Sequence, residues 1–323
     1  MDIPPEIWVE IFMLSLPPLD LPQAPQKVAL VRVCRLWNAM VESSPTLWSG
    51  ISIRDKIGYV QKSLLKSGES PIDVYGACTF STPHVGCYHV GACRQFMREV
   101  NRHTQRWRFV TLHVMSEGGY APSCDLFPLL RSLRLNSTAG LPTGKEYLVL
   151  LNSSQTPYLH ELFLDHPQPA NWNISLSPNL SKLSIHYSLP SSSELLSILK
   201  DCPKLAILDL YLFTLNDEVI SRADYASIVN LTALQRLELN NTSVGFAGNL
   251  LQGLRLPEDC DIALKLRVER VRVSTSFWNR PLSHYQDRFQ SAGQINPMKI
   301  TASAEKRGGA LIGVRGYRWN VEL

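Results

Sequence analysis

Large apolar residues crowd the first fifty positions of the chain. Ile7, Ile11 and Leu14 recur at helical spacing, with Trp8 and Phe12 beside them. Pro4 and Pro5 suit a helix start, and Glu6 complements the positive end of the helix dipole. Pro17 and Pro18 stop this helix. A second helix is predicted from Gln26 to Glu42. Leu30, Val33, Cys34, Trp37 and Val41 make its apolar stripe, Arg32, Arg35 and Asn38 sit off it, and Pro45 ends it. About fifty residues bury too little surface for much stability of their own. The excess apolar surface calls for the rest of the chain or another protein.

From residue 105 onward a different period takes over. Phe109-x-x-Leu112-x-Val114 is followed by Leu130-x-x-Leu133-x-Leu135, Leu159-x-x-Leu162-x-Leu164, Leu180-x-x-Leu183-x-Ile185, Leu205-x-x-Leu208-x-Leu210 and Leu234-x-x-Leu237-x-Leu239. The middle positions lie 21, 29, 21, 25 and 29 residues apart, and a weaker copy, Leu264-Lys265-Leu266, follows 27 later. Alternating leucines point one face of a short strand into a core. Lys145–Leu151 and Glu194–Lys200 read as helical returns between strands. LxxLxL at this spacing is the leucine-rich-repeat pattern, whose units must stack to cover their apolar faces. A buried-strand α/β domain without a repeat is the alternative.

Between these parts, Tyr59–Lys66 reads as a helix closed by Ser67-Gly68, and Pro71–Tyr75 alternates like a strand. Cys93–Thr104 reads as a further helix leading to a strand at Phe109.

Ile3-Pro4-Pro5-Glu6-Ile7, the Ile11-Phe12 pair, Val33-Cys34-Arg35-Leu36-Trp37-Asn38 and Pro45-Thr46-Leu47-Trp48 resemble an F-box over residues 1–53. Ile3 stands where the motif usually has leucine, and Pro17–Gln26 is a longer connection than usual. Ser67-Gly68-Glu69-Ser70-Pro71 and Arg106-Trp107 are similar to the stretch that joins the F-box to an irregular repeat array in fungal F-box proteins. The resemblance implies an α/β chain: a small N-terminal helical F-box, then an irregular leucine-rich-repeat solenoid. The expected parts are an F-box at 1–53, connecting helix/strand repeats at 54–106, the solenoid at 107–272 and a capping segment at 273–323. It implies docking on a Skp-type adaptor, and through it a cullin-RING scaffold, by Pro4, Ile7, Ile11, Leu14, Val33 and Trp37.

A target protein is then expected on the outward face of the strands. One column reads Arg134, Phe163, Ser184, Asp209 and Glu238, and the next Asn136, Asp165, His186, Tyr211 and Asn240. Aromatic rings in these columns are unusual where small polar residues are the rule, and aromatics dominate binding hot spots. The target-binding expectation rests on Arg134, Phe163, Asp165, His186, Asp209, Tyr211, Glu238 and Asn240. Packing of Phe163 and Tyr211 against neighbouring strands is the competing account.

Charge and cysteine usage narrow the picture only slightly. The 323 residues are 45% apolar with a formal net charge of +4, too small to argue for nucleic acid. Residues 274–323 alone carry seven Lys/Arg against three Asp/Glu. Seven scattered cysteines without a CxxC fit a reducing compartment. No basic, uninterrupted apolar leader opens the sequence, so a cytoplasmic or nuclear location without a membrane is expected. Sequons begin at Asn136, Asn152, Asn173, Asn179, Asn230, Asn240 and Asn241, and read here as Asn- and Ser-rich turns.

Candidate chemistry is sparse. His84, Cys87, His89 and Cys93 offer zinc-type ligands, but four in so tight a run strain to converge. Gly140-Leu141-Pro142-Thr143-Gly144-Lys145-Glu146 misses the phosphate-loop spacing and has Glu where Ser or Thr would hold magnesium. No G-x-S-x-G or H-E-x-x-H occurs. The expectation is a non-enzymatic substrate receptor of an SCF-type ubiquitin ligase, with no cofactor and no metal. The rivals are a scaffolding repeat protein with a vestigial F-box and an enzyme or metal protein that uses the His/Cys cluster.

Overall fold

The computed structural model describes residues 3–76, 90–114, 126–137, 153–165, 172, 174–187, 189–212, 228–268, 298–305 and 309–317. The chain divides into two compact units, Met1–Leu159 and His160–Leu323.

The first unit opens with three helices: α1 (Pro5–Ser15), α2 (Ala24–Val31) and α3 (Arg35–Ser43). The single helix expected from Gln26 to Glu42 is thus broken. At the break Cys34 is fully extended (φ −159°, ψ 169°), and its Sγ accepts from the Trp37 N–H at 3.5 Å. A cysteine in this role caps the new helix as a serine would. The Pro-rich connection is pinned rather than slack. Gln23 Nε2 donates to the carbonyls of Pro17 (2.7 Å) and Pro18 (3.1 Å).

These helices are bound into the elements that follow. A 3-10 turn, Pro45–Trp48, runs almost directly into β1 (Gly50–Ser52), and α4 (Ile57–Lys66) comes next. Ser52 Oγ donates to Leu19 O at 2.7 Å, and Asp55 accepts the N–H groups of Gln23 and Ala24, capping α2 from a distance. Glu42 on α3 pairs with Lys66 (2.9 Å) and Lys62 (3.1 Å) on α4, which hold its carboxyl below the usual range. A Cβ on Gly50 would lie 2.9 Å from Leu19, so the two segments meet at a glycine.

The remaining strands of this unit are β2 (Ile72–Gly76), β3 (Trp107–Val114) and β4 (Ser132–Ser137), all parallel in the order β1-β2-β3-β4. Helix α5 (Val90–Val100) and a 3-10 turn, Asn101–Arg106, precede β3. The two sequence fragments Ser67–Pro71 and Arg106-Trp107 are joined here. Arg106 Nη2 donates to Ser67 Oγ at 2.6 Å and its Nε to Ser70 O at 2.9 Å. Gly68 between them has φ +51°, a turn conformation that favours glycine.

Strand register corrects the first repeat. Val110 stands opposite Leu133 and Leu112 opposite Leu135. The inward set is therefore Trp107, Val110 and Leu112, all buried, while Phe109 is 44% exposed. The last copy shifts in the same way: Ile262 stands opposite Leu237, and Leu264 opposite Leu239.

In the second unit β5 (Glu161–Asp165), β6 (Lys182–Tyr187), β7 (Ile207–Leu212), β9 (Arg236–Ser243) and β11 (Asp261–Val268) run parallel. β12 (Met298–Glu305) and β13 (Gly309–Tyr317) extend the sheet antiparallel, β13 pairing with β11. Two-residue strands β8 (Val229–Asn230) and β10 (Leu254–Arg255) pair separately. Helix α6 (Ser192–Leu199) opens with a Ser191/Glu194 capping box, and α7 (Val244–Gly253) is capped by Ser243 Oγ.

The expected irregular leucine-rich-repeat solenoid is not what forms. The chain is an α/β arrangement, a short helical start followed by mostly parallel strands with helices between them. The leucine period dictated parallel strands with one buried face. It did not dictate the returns, and those differ from one crossover to the next. α4, α5, α6 and α7 are full helices of 10, 11, 8 and 10 residues, while β8 and β10 add a small second sheet. Parallel neighbours joined by helical crossovers make an α/β sheet, whereas a solenoid needs like units stacked on like. The sequons are also corrected in part. Asn136, Asn230, Asn240 and Asn241 lie in strands, not turns.

Candidate functional site

The helical start has two apolar faces. The inner one is a core of Phe12, Leu30, Met40, Val41, Leu47 and Trp48, with Trp8, Val9, Leu16, Val31, Trp37 and Tyr59 packed on it. The Trp48 indole donates from Nε1 to Val41 O at 2.8 Å, tying the 3-10 turn to α3. On α1 the opposite face carries Ile7, Ile11 and Leu14, exposed by 50%, 43% and 85%. Val33 and Leu36, at the α2–α3 break, are exposed by 59% and 61%. Side chains of this size are thus left in water at helical spacing, outside the core. Pro4 is exposed and caps α1, its carbonyl accepting from Ile7 and Trp8. Trp37 differs from the others. Its ring lies 4.7 Å from Phe12 and 5.4 Å from Trp8, half inside the core.

One charge sits in that core. Lys27 is 1% exposed, and its Nζ has no hydrogen-bond partner among the described residues. The ammonium lies 5.4 Å from the Trp48 ring and 5.8 Å from Tyr59, with Lys62 over Trp48 at 4.7 Å. Burial pulls the Lys27 pKa down to about 8, partly opposed by Asp55.

The outward strand faces gather the other expected residues. In the first unit Arg134 lies abreast of Thr111 and Tyr75, and is exposed. In the second, Phe163, Ser184, Asp209 and Glu238 form one row, and Asp165, His186, Tyr211 and Asn240 the next. All of these are half-buried except Ser184, which is buried. Their rings touch. Phe163 meets His186 edge-on at 4.7 Å, and His186 lies 5.9 Å from Tyr211. His186 Nε2 donates to Asp209 Oδ2 at 3.0 Å, and Glu238 is held by the Arg236 guanidinium.

Tyr187 joins this cluster, 5.3 Å from Tyr211 and 6.4 Å from His186. Strict alternation assigns it to the inner face, so the apolar period conceals it. Its φ of 71° turns it outward. Nothing in the pattern signals that conformation.

Other candidates resolve differently. Of the His/Cys run, His84, Cys87 and His89 lie outside the described residues, while Cys93 is buried in α5. The Gly140–Glu146 segment and the Lys145–Leu151 return also lie outside them. Among the described residues no group of His, Cys, Asp and Glu is arranged to hold a metal ion. Burial pushes the Cys202 and Cys260 thiols up to about 12, which keeps them protonated and inert. A groove of about 830 Å³ runs past Leu65, Glu69, Arg102, His103 and Arg106. Its Arg106 is committed to the Ser67–Ser70 turn, and burial, with Arg106 beside it, holds His103 below its usual range. Among the described residues no helix is long and apolar enough to cross a membrane.

No curated protein and no solved structure matches the chain. A family model does match, over residues 1–54, which hold α1, α2, α3, the Pro45–Trp48 turn and β1. This N-terminal segment is an F-box-like domain.

Proposed function

We propose that the chain is the substrate-recognition subunit of an SCF-type ubiquitin ligase. F-box domains typically bind Skp-type adaptors, and the observation that carries the reading is the outward apolar face of α1 within the F-box-like domain. On this reading Pro4, Ile7, Ile11, Leu14 and Val33, with the exposed edge of Trp37, dock on the adaptor. The adaptor links the chain to a cullin-RING scaffold. Catalysis is by proximity: a target held near a charged conjugating enzyme presents its lysine at high effective concentration. The receptor itself needs no catalytic residue. The test is affinity purification from cells with and without residues 1–54. A Skp-type adaptor and cullin are expected with the full chain and absent from the truncated one. Equal recovery from both rejects the reading.

The target is assigned to the strand faces, to Arg134 in the first unit and to Phe163, Asp165, His186, Asp209, Tyr211, Glu238 and Asn240 in the second. Half-exposed rings on a sheet face are open to a partner, and aromatic residues dominate binding hot spots. Phe163→Ala and Tyr211→Ala are each expected to reduce target capture several-fold while lowering stability by no more than about 1 kcal/mol, the ordinary effect of a point substitution. Strong destabilisation by both, read by thermal melts, assigns the rings to packing instead.

The same reading divides the chain into an adaptor module at 1–53, a connecting stretch at 54–106, target-binding strands at 107–272 and a cap at 273–323. β12 and β13 support the cap, because β13 covers the edge of β11 with antiparallel hydrogen bonds. An uncovered strand edge invites aggregation. Ending the chain at Val273 is expected to lower both the melting temperature and the solubility. A truncated chain that melts with the full one removes the cap.

A further inference from the structure

The ring cluster of the second unit carries more than apolar area. Two carboxylates stand among the rings. Asp165 is directly across from His186, and Asp209 accepts from His186 Nε2. Ser184 lies between Phe163 and Asp209 in the row beneath, with Tyr211 beside His186 in the row above. A small residue there leaves the flanking side chains with a low floor between them. Burial, then the nearby Asp165 charge, raise the pKa of the Tyr187 phenol. Of the other charges of this face, Glu238 stands opposite Asp209 and is held by Arg236. Glu161, Lys182 and Asp261 lie two residues back along their strands, and Lys265 lies on β11 opposite Asn240. The centre of the cluster is thus aromatic and negative.

Tyr187 supplies an independent observation. A bulky residue at φ 71° is a backbone outlier, and such strain persists where a particular side-chain placement is needed. The placement it secures is a ring against Tyr211 and His186 on the outward face.

Resting on the target-binding reading of this face, we propose that Phe163, His186, Tyr187 and Tyr211, with Asp165 and Asp209, form a seat for an arginine side chain of the bound protein. Ring faces attract cations, and carboxylates neutralise them. Arginine fits better than lysine because its flat guanidinium stacks on one ring while donating two parallel hydrogen bonds to a carboxylate in its own plane. A wholly apolar side chain would press against Asp165 and Asp209 and bring no charge complementary to theirs. The partner is therefore a protein segment that presents arginine, not an apolar helix.

The experiment titrates the full chain with a capped Gly-Gly-Arg-Gly-Gly peptide and with its lysine and citrulline counterparts, following the tyrosine and histidine side-chain NMR signals. The arginine peptide is expected to shift Tyr187, Tyr211 and His186 signals with a millimolar Kd. The lysine peptide should bind about five-fold more weakly, and the neutral citrulline peptide should not bind. Asp165→Asn and Tyr211→Ala should each weaken arginine binding about ten-fold, and Tyr211→Phe, which keeps the ring, should preserve it. Equal binding of the citrulline peptide, wild-type affinity in both weakened variants, or no shift with the folded chain each overturns the seat. Adaptor capture through residues 1–54 is measured on the same preparations. Lost arginine binding with capture intact rejects the seat alone. Failed capture with intact, Asp165-dependent arginine binding rejects the receptor reading and supports the seat.

Discussion

Replacing both Ile7 and Ile11 by aspartate is expected to abolish co-purification of a Skp-type adaptor while leaving the far-UV circular dichroism of the chain unchanged. The two side chains are half-exposed, so their removal opens no cavity in the Phe12 core. A docked partner would bury them. Fully burying one such side chain stabilises by about 1.5–3 kcal/mol, so the exposed halves of the two together are worth about that much, and losing both weakens binding by roughly ten- to a hundred-fold before any charge is considered. Each aspartate adds the penalty of a carboxylate pressed against an apolar partner. Leu65→Asp is the control, because Leu65 on α4 is 80% exposed and lies outside the F-box-like domain. Unchanged adaptor recovery in the double variant, or equal loss in the control, defeats the assignment. Trp37→Ala belongs to a separate class. Its ring stands on Trp8 and Phe12, so this change is expected to loosen the helical start itself.

The second large effect concerns Lys27, where removing a charge should strengthen the fold. Its pKa is about 8 in the folded chain against 10.5 for an ordinary lysine. Below about pH 8 both folded and unfolded chains carry the proton, and the folded state bears the whole desolvation penalty. As pH rises from about 8 towards 10.5 the folded chain sheds that proton first. The unfolded state then holds more protons, so stability from this group rises with pH. Each pKa unit is worth about 1.4 kcal/mol, so the shift sets a ceiling of roughly 3 kcal/mol. Attraction of the ammonium to Trp48 and Tyr59 returns about 0.5–2 of it. Lys27→Met is expected to raise stability by about 1–3 kcal/mol at pH 7. The margin over wild type should shrink between pH 8 and pH 9.5, as read by denaturant melts of both proteins at each pH. Taking the difference cancels the Cys202, Cys260 and Tyr59 ionisations, which act in the opposite sense. A margin that is constant with pH, or a destabilised Lys27→Met, contradicts this account.

Some of the architecture was plain in the apolar spacing, and the exceptions have physical causes. Leu162, Leu164, Leu183, Ile185, Leu208, Leu210, Leu237 and Leu239 all face inward, because a period of two leaves a strand no other way to bury them. The rows of residues between them follow from the same alternation. Register failed at β3, where Trp107-x-x-Val110-x-Leu112 and Phe109-x-x-Leu112-x-Val114 both satisfy the spacing. Only burial of the Trp107 indole, which donates to Val100 O, separates the two. The α2–α3 break was hidden because no proline or glycine marks it; an extended Cys34 makes it. The solenoid expectation failed because strand period constrains the strands alone, and the helices between them were free to differ. Tyr187 lay beyond any pattern, since its position depends on a single backbone angle.

The Arg106 side chain reaches back across 39 residues to Ser67, and the Asp55 carboxylate reaches back 31 to Ala24. With Ser52 on Leu19 and Glu42 on α4, these bonds leave no slack between the F-box-like domain and the first unit's own strands. A flexible tether would let a held target wander, and its closure entropy would grow with every added residue. A mount without a tether does the reverse. It holds the first unit's strands, Arg134 among them, in one orientation to the adaptor-binding helices, so on the receptor reading a target touching those strands is placed by its own shape and not by the swing of its holder. Lengthening the chain between Trp48 and Ile51 with glycine would exchange that selectivity for reach.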